Sequence, residues 1–233
     1  MSRKRALVTG VGPGTGTAVV RRLAEGGYDV AMIARSDDRL RQLEQEIGRT
    51  KAYPVDVSDI ASFDQTLDRI FLDFGPPEVV IHNAVGGTFG NFMQIDPTRL
   101  QQNFQINVMA LLHLARRVAP AMIEAGTGAI VASGNTSALR GKSNFAGFAP
   151  TKAAQRILAE AIARELGPKG IHVAYVVIDA VIDVPWTRAA RPDAPDDFFI
   201  QPADIADEIW HVVHQPRSAW SFNVEIRPFK ESW

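Results

Sequence analysis

The chain has 233 residues, of which 46% are hydrophobic and 22% are charged, and its net charge is -1 at pH 7. This length and composition suit one domain, residues 1–233, and the near-neutral charge argues against a nucleic-acid partner. No stretch reads as long and apolar enough to span a membrane, and the absence of cysteine excludes disulfides and thiolate metal sites. We therefore predict a cytoplasmic protein that binds no metal.

A glycine-rich turn follows the first predicted strand. Residues 5–8 read as a short buried strand and residues 17–25 as a helix, with the glycines between them. Glycine lets the backbone approach a phosphate closely, and a helix N-terminus offers free N–H groups at the positive end of its dipole. We predict a phosphate site here, formed by Gly10, Gly12, Gly14, Thr15 and Gly16. The alternative is a glycine-rich turn that binds nothing.

Strands and helices alternate along the rest of the chain. The predicted strands cover residues 28–34, 52–57, 78–84, 128–133, 170–178 and 222–226. The predicted helices cover residues 38–47, about 59–74, about 97–125 and 145–166. This alternation is typical of an α/β fold with a Rossmann-like, doubly wound, mostly parallel sheet of seven strands and helices on both faces. Ligands of such sheets bind at the carboxyl ends of the strands.

An arginine ends the second predicted strand. About twenty residues after the glycines, an NAD site usually places a carboxylate that holds the ribose 2′-hydroxyl. Arg35 stands there instead, and its guanidinium suits a 2′-phosphate, to which Ser36 can add a hydrogen bond. We therefore predict NADP(H) rather than NAD, with a solvated arginine as the alternative. Asp37 and Asp38 are predicted to cap the next helix.

Several motifs resemble those of the single-domain short-chain dehydrogenase/reductase family, over nearly the whole chain. The matching segments are Thr9-Gly10-x3-Gly14-x-Gly16, Asp56-Val57, His82-Asn83-Ala84-Val85-Gly86, Asn107 in Ile-Asn-Val, and Lys152 in Thr-Lys-Ala-Ala. The resemblance implies a nicotinamide cofactor, a small-molecule substrate and, usually, a tetramer. It also implies adenine contacts from Asp56 and Val57, cofactor contacts from Asn83 and Ala84, and a ribose contact from Lys152. Lys152 and Asn107 match the lysine and the helix asparagine of the family's catalytic tetrad, so the resemblance implies a catalytic role for both.

Three positions depart from the family pattern. Phe148 stands four residues before Lys152, where the family has its catalytic tyrosine, and Asn135 takes the place of the family serine. Val184 replaces the threonine that usually meets the nicotinamide amide. Phe148, together with the tail Arg227-Pro228-x-x-Glu231, resembles a bacterial subgroup that lacks the tyrosine.

The missing tyrosine limits the chemistry, because phenylalanine has no proton to give. General acid catalysis contributes about 10²- to 10⁴-fold, so ordinary ketone reduction should suffer while hydride transfer stays feasible. Asn135 could hold a developing oxyanion through its amide N–H. Asp179 is the best candidate for a substitute acid if it lies in an apolar pocket, with loop capping as the alternative. Asn107 either holds a water or is a satisfied structural residue.

Residues 183–202 are predicted to form a substrate lid, whose Trp186, Phe198 and Phe199 suggest an apolar substrate. Phe229 and Trp233 in the tail are typical of side chains that bury against a partner subunit. We predict a homotetramer or homodimer, with residues 100–125 and 145–166 at the interface.

The sequence therefore predicts an NADP(H)-dependent oxidoreductase acting on a small apolar carbonyl, imine or enone. The alternatives are a cofactor-binding protein without turnover and a redox-neutral enzyme of the lyase or cyclase type.

Overall fold

A parallel sheet of seven strands forms the centre of the computed structural model, which describes residues 4–231; Trp233 lies outside them. The strands are β1 Lys4–Thr9, β2 Tyr28–Ala34, β3 Thr50–Pro54, β4 Val79–His82, β5 Gly128–Asn135, β6 Ile171–Ile178, β7 Val181–Ile182, β8 Phe199–Ile200 and β9 Asn223–Ile226. Their order in the sheet is β3-β2-β1-β4-β5-β6-β9, with β7 and β8 paired separately. Because the order reverses between β1 and β4, a ligand crevice is expected where these two strands end.

Helices cover both faces of the sheet, as the alternating sequence pattern predicts. They are α1 Thr15–Glu25, α2 Asp37–Glu46, α3 Ile60–Asp73, α4 Pro97–Phe104, α5 Ala110–Ala125, α6 Ala149–Leu166, α7 Pro185–Ala189 and α8 Pro202–Val213. Helices α1, α2 and α8 pack their apolar side chains on one face. Helices α3, α5 and α6 pack on the other. The prediction of a doubly wound α/β fold is therefore confirmed.

Helix α6 begins later than the sequence predicts. It starts at Ala149 rather than at residue 145, and Phe148 is its N-cap residue. Pro150 therefore lies in the first turn, where the missing proline N–H removes no helical hydrogen bond. Strand β3 is likewise shifted, from the predicted 52–57 to Thr50–Pro54.

The helix predicted over residues 97–125 is continuous but contains one wide turn. Gln105–Met109 forms a π-helical turn between α4 and α5, with Asn107 at its centre. Turns of this type often occur at functional sites, because they redirect a side chain out of the regular helix.

The same 29 residues, Pro97–Ala125, are long and apolar enough to cross a membrane by length and composition alone. The statement that no stretch meets this test is therefore wrong. Leu111, Leu114 and Val118 of this helix are buried against the sheet. On its outer side, Arg117 pairs with Asp68 of α3 at 2.7 Å. These contacts are those of a core helix packed on its own sheet.

Helix α8 and the β7–β8 pair have no counterpart in the sequence prediction. Ile205, Ile209 and Val212 of α8 are buried, and the helix packs against α1. The ring of Trp210 lies over the guanidinium of Arg22 at 4.1 Å. This contact ties the region after the lid to the first βα unit.

Candidate active site

The glycine loop between β1 and α1 is built so that only glycine fits at its closest contacts. Gly10 has a φ of +72°, and a Cβ atom there would lie 2.4 Å from the backbone nitrogen of Ala84. A Cβ on Gly16 would lie 2.3 Å from the carbonyl oxygen of Gly10. Around Gly12, by contrast, a Cβ would meet no described atom within 4 Å. The loop is therefore packed closely against the segment that follows β4, and it is open at Gly12.

The N-terminus of α1 keeps unused donors beside this loop. The N-cap residue is Gly14, which has no side chain to accept from the N–H groups of the first turn. The hydroxyl of Thr15 is buried and has no hydrogen-bond partner among the described residues. A buried hydroxyl without a partner is costly, and the first turn of a helix favours anions. These groups fit a phosphate.

Arg35 and Ser36 follow β2 at the same edge of the sheet. Both are exposed, and the guanidinium of Arg35 makes no ion pair with another residue in the 4–231 range. Ser36, rather than the predicted Asp37 or Asp38, caps α2, because its hydroxyl oxygen accepts from the N–H of Arg39 at 3.4 Å. Its hydroxyl proton stays available to a ligand.

Asp56 and Val57 lie just beyond the end of β3. The carboxylate of Asp56 accepts from the N–H of Ser58 at 2.9 Å and from its hydroxyl at 2.8 Å. This local turn fixes the backbone at the place predicted for adenine contacts. Val57 is buried in the core beneath α3.

The segment after β4 ties three strands together where they end. Asn83 donates to the carbonyl of Gly10 at 2.9 Å and accepts from the hydroxyl of Ser133 at 2.9 Å. His82 is buried between the Thr9 hydroxyl, 3.0 Å from its Nδ1, and the Ile106 carbonyl, 3.2 Å from its Nε2. Burial, with the nearby charge of Lys152, lowers the pKa of His82 to about 3. The histidine is therefore a neutral structural residue.

The side chain of Asn107 is fully occupied within the protein. Its oxygen accepts from the N–H of Gly86 at 3.0 Å, and its amide donates to the Gly86 carbonyl and to the Thr151 hydroxyl, both at 2.8 Å. Of the two readings, the satisfied structural residue fits these contacts. Asn107 fixes the loop after β4 to the π-helical turn and to α6.

Lys152 lies buried beneath this region with its amine between neutral acceptors. Its Nζ donates to the carbonyl of Ser133 at 2.9 Å and to the side-chain oxygen of Gln155 at 2.5 Å. Burial lowers the pKa of Lys152 to about 7. The charged form is thus much less favoured than in an exposed lysine.

Phe148 belongs to a cluster of three aromatic rings. Its ring centroid lies 5.4 Å from that of Phe89 and 6.5 Å from that of Phe145. Phe148 is buried, whereas 65% of Phe89 is exposed. An open groove of about 740 Å³ lies next to the cluster, and its lining combines Phe92 and Met93 with the polar Asn91, Gln94, Lys142 and Ser143. The ring cluster itself is apolar.

Asn135 ends β5, and only the oxygen of its side-chain amide is hydrogen-bonded within the described residues. Its oxygen accepts from the N–H of Ser137 at 3.1 Å, while its amide nitrogen makes no hydrogen bond within residues 4–231. The strand stops at Asn135 and a 3₁₀ turn begins, so Ser137 does not share a strand face with Ser133.

Asp179 follows β6, but it does not lie in an apolar pocket. Its carboxylate accepts from the hydroxyl of Thr136 at 3.0 Å. The guanidinium groups of Arg227 and Arg140 lie 3.8 and 4.0 Å from it. Asp179 is thus a member of an ion-pair network, and the role of substitute acid lacks the environment on which it depends.

A cluster of charged groups joins the two ends of the predicted lid to each other. Arg188 forms two hydrogen bonds to the carboxylate of Asp183, both 2.7 Å long, and Gln201 donates to the same carboxylate at 2.8 Å. The Arg188 hydrogen bonds lower the pKa of Asp183 to about 2. Beside this cluster, Val184 packs so closely that a Cβ on Gly14 would lie 2.8 Å from its Cγ1. The lid therefore touches the glycine loop.

Sequence reasoning did not identify Gln155, Thr151 or Asn103 as parts of this region. Asn103 donates to the Gly147 carbonyl at 2.8 Å and so fixes the loop before α6. In the sequence, Thr151 and Lys152 stand four and three positions before Gln155, and this helical spacing could have indicated a shared polar face on α6. The structure shows all three buried.

The model of the short chain dehydrogenase family matches residues 4–194. L-xylulose reductase from Mus musculus is 30% identical over 194 residues, which are 83% of this chain and 78% of that protein. An uncharacterized oxidoreductase from Staphylococcus epidermidis is 23% identical over 229 residues, 98% of each chain.

Solved structures resemble the chain over its whole length. A metagenomic short-chain oxidoreductase in complex with NADP is 26% identical, with a TM-score of 0.85 and coverage of 99% of both chains. A short-chain dehydrogenase from Rhodopseudomonas palustris is 29% identical, with a TM-score of 0.84 and coverage of 98% of this chain and 100% of the other. Because the family model spans most of the sequence and the whole fold superposes, the chain belongs to the short-chain dehydrogenase family.

Proposed function

We propose that the protein is an NADP(H)-dependent oxidoreductase with an atypical active site, acting on a small apolar carbonyl, imine or enone. The observation that carries the proposal is the buried, unpartnered hydroxyl of Thr15 at the open N-terminus of α1. A bound phosphate would accept hydrogen bonds from the Thr15 hydroxyl and from the backbone N–H groups at the start of α1. The NADP bound to the metagenomic relative supports the same cofactor here.

Each part of the cofactor has candidate residues along the carboxyl ends of the strands. The glycine loop and Thr15 would hold the pyrophosphate, and Arg35 with Ser36 would hold the 2′-phosphate. The remaining contacts come from Asp56 and Val57 to adenine, and from Asn83, Ala84, Lys152 and Val184 toward the nicotinamide riboside. The bound cofactor would supply a hydride.

The substrate side of the proposal rests on the apolar surroundings of Phe148. The aromatic cluster and the neighbouring groove offer ring faces and aliphatic surface, which favour an apolar substrate. The free amide nitrogen of Asn135 can donate to an oxyanion that develops on the substrate. Asn107 contributes by fixing the loop after β4.

A redox-neutral or non-catalytic role is the second candidate. Phe148 offers no proton, Asp179 is engaged with two arginines, and Val184 already packs on the glycine loop. A non-catalytic protein would bind the cofactor tightly and convert no substrate. A redox-neutral enzyme would convert its substrate without any change in nicotinamide absorbance.

The proposal is tested by following NADPH oxidation with a panel of apolar ketones, imines and enones. Wild type is compared with Phe148→Tyr, which places a hydroxyl one helical turn from Lys152 and should increase ketone reduction. Adding Asn135→Ser should increase it further, and the two effects should not be additive because the residues act on one substrate oxygen.

Phe145→Tyr is the matched control, since it adds the same hydroxyl in the same aromatic cluster but not at the position before Lys152. It should not increase ketone reduction. Tight NADPH binding with no turnover in any of these proteins would reject the oxidoreductase and leave the second candidate.

A further inference from the structure

The amine of Lys152 is buried, and within residues 4–231 no carboxylate contacts it, which is unusual for a lysine. Its two hydrogen-bond partners, the Ser133 carbonyl and the Gln155 amide oxygen, are both neutral. The titratable groups that face it from neighbouring strands are His82 on β4 and Tyr175 on β6. Burial raises the pKa of Tyr175 and lowers that of His82, so both are neutral at physiological pH. On α6 itself, Arg156 pairs with Glu160 at 3.6 Å.

Gln155 links this amine to the π-helical turn. Its amide nitrogen donates to the Asn107 carbonyl at 2.8 Å, and this fixes which way the amide is turned. Its oxygen then accepts from Lys152 and, at 3.3 Å, from the hydroxyl of Tyr175. Three hydrogen bonds therefore fix the side chain of Gln155, and Gln155 in turn helps to fix the amine of Lys152.

The amine lies at the ligand edge of the sheet. Ser133, whose carbonyl accepts from Lys152, is also bonded through its hydroxyl to Asn83, and Asn83 is bonded to the glycine loop at Gly10. A lysine ammonium has three N–H donors. Two of them are used within the protein, so one is left for a group bound at this edge. In the reduction this N–H serves the substrate instead of the ribose.

We propose that the ammonium of Lys152 donates the proton in the reduction, in place of the absent tyrosine, and that Gln155 is the positioning residue that holds it. This inference rests on the proposed function. The hydride passes from the reduced nicotinamide to the substrate carbon. An N–H bond of Lys152 breaks as the O–H or N–H bond of the product forms, and the neutral amine later regains a proton from water.

Protonation at neutral pH agrees with this role. Burial lowers the pKa of Lys152 to about 7, and a general acid is most effective when its pKa lies near the working pH. An exposed lysine would hold its proton too tightly to release it to the substrate.

The direct test measures Lys152 without any turnover. Protein containing ¹³C-labelled lysine is titrated by NMR without ligand, and the Lys152 signal is assigned by its loss in Lys152→Arg. We expect a midpoint near pH 7 in wild type. Gln155→Glu should move the midpoint to higher pH, because a carboxylate stabilises the ammonium, and Gln155→Leu should move it to lower pH.

The pH profile of NADPH-dependent reduction supplies the second readout. The wild-type kcat/KM should fall by about tenfold per pH unit above the same midpoint. The two Gln155 variants should shift this descending limb of the pH profile in opposite directions. A purely structural role would lower the rate without moving the limb. Gln102→Glu on α4 is the charge-matched control, and its limb should coincide with that of wild type.

Several results would overturn the inference. A Lys152 midpoint above pH 9 that neither Gln155 variant moves would reject both the proton role and the positioning role. A shifted NMR midpoint with an unshifted activity limb would reject Lys152 as the proton donor. If the NMR midpoint behaves as expected but no carbonyl or imine is reduced, the proposed function fails together with the proton role. Gln155 then remains a positioning residue only.

Discussion

Arg35 offers an exposed guanidinium at the end of β2, with no ion pair to another described residue. A charge-assisted hydrogen bond to a 2′-phosphate contributes about 1.5–3 kcal/mol, which equals roughly one to two decades of affinity. We expect Arg35→Ala to weaken NADP binding by that factor and to leave NAD binding unchanged, as measured by fluorescence titration.

Arg49 provides the matched control for this substitution. It is also exposed, but it precedes β3 at the opposite edge of the sheet, where it pairs with Asp29. Arg49→Ala should therefore leave both affinities unchanged. Equal affinities of wild type for NADP and NAD would contradict the assignment of Arg35.

Lys152 should leave a signature in the pH dependence of folding. Its pKa of about 7 in the folded chain lies below the ordinary value of 10.5, so between these values the unfolded chain binds the extra proton. The cost of burying the amine is therefore complete below pH 7 and falls as the pH rises toward 10.5. We expect the stability of Lys152→Met relative to wild type to decline by about 2 kcal/mol between pH 7 and pH 9.

Urea unfolding at several pH values measures this difference, and Lys142→Met is the control because Lys142 is exposed. A difference between Lys152→Met and wild type that stays constant with pH would show that the amine is not buried as described.

At the scale of secondary structure, one close contact sets how near α8 packs to α1. A Cβ on Gly26 would lie 2.0 Å from the ring of Trp210, whose edge also meets Tyr28 at a centroid distance of 6.0 Å. Gly26→Ala should force Trp210 and α8 away from α1 and destabilise the fold by about 1–3 kcal/mol. Thermal or urea unfolding measures the loss.

Gly48→Ala is the control, because a Cβ there meets no described atom within 4 Å. Adding Trp210→Ala to Gly26→Ala should cost less than the sum of the two single changes, since both act on one contact. Strict additivity would mean that the ring does not pack on Gly26.

The elements with strong periodicity were predictable, and those defined by tertiary contacts were not. The strand-helix alternation predicts the sheet, and the glycine spacing locates the turn after β1, because both signals are local. The apolar spacing of Ile205, Ile209 and Val212 could have located α8, but the adjoining proline-rich lid obscured it. The β7–β8 pair joins residues 18 positions apart in the chain, through Val181 and Phe199, and no local pattern encodes such a pairing.

The same division between local signals and tertiary contacts holds for the site. Residue types at the strand ends identified the phosphate side, whereas the hydrogen-bond partners of Asn107 and Lys152 come from distant segments. Gln155 bonds to the carbonyl of Asn107, 48 positions earlier. That contact exists only because the π-helical turn and α6 cross, and this crossing is a property of packing.

For the whole molecule, we expect a homodimer or homotetramer through the outer faces of α5 and α6. Ile157 on α6 is 60% exposed and Ile123 on α5 is 39% exposed, as is typical of apolar side chains that a second subunit covers. Light scattering at micromolar concentration should give a multiple of the 25.5 kDa chain mass. Ile157→Asp should reduce it.

Leu72 on α3 is the matched control, since it is 87% exposed but lies outside the proposed interface. Leu72→Asp should keep the wild-type mass. A monomeric wild-type protein at this concentration would reject the interface.

The complete hydrogen bonding of His82 and Asn107 has a consequence for the evolutionary history of such chains. Both side chains stabilise the fold, since each joins segments far apart in the sequence. Random mutagenesis with selection for soluble expression alone should therefore leave these two positions unchanged, while exposed Arg35 accumulates substitutions. A lineage that lost all turnover would keep its family motifs for as long as it still had to fold.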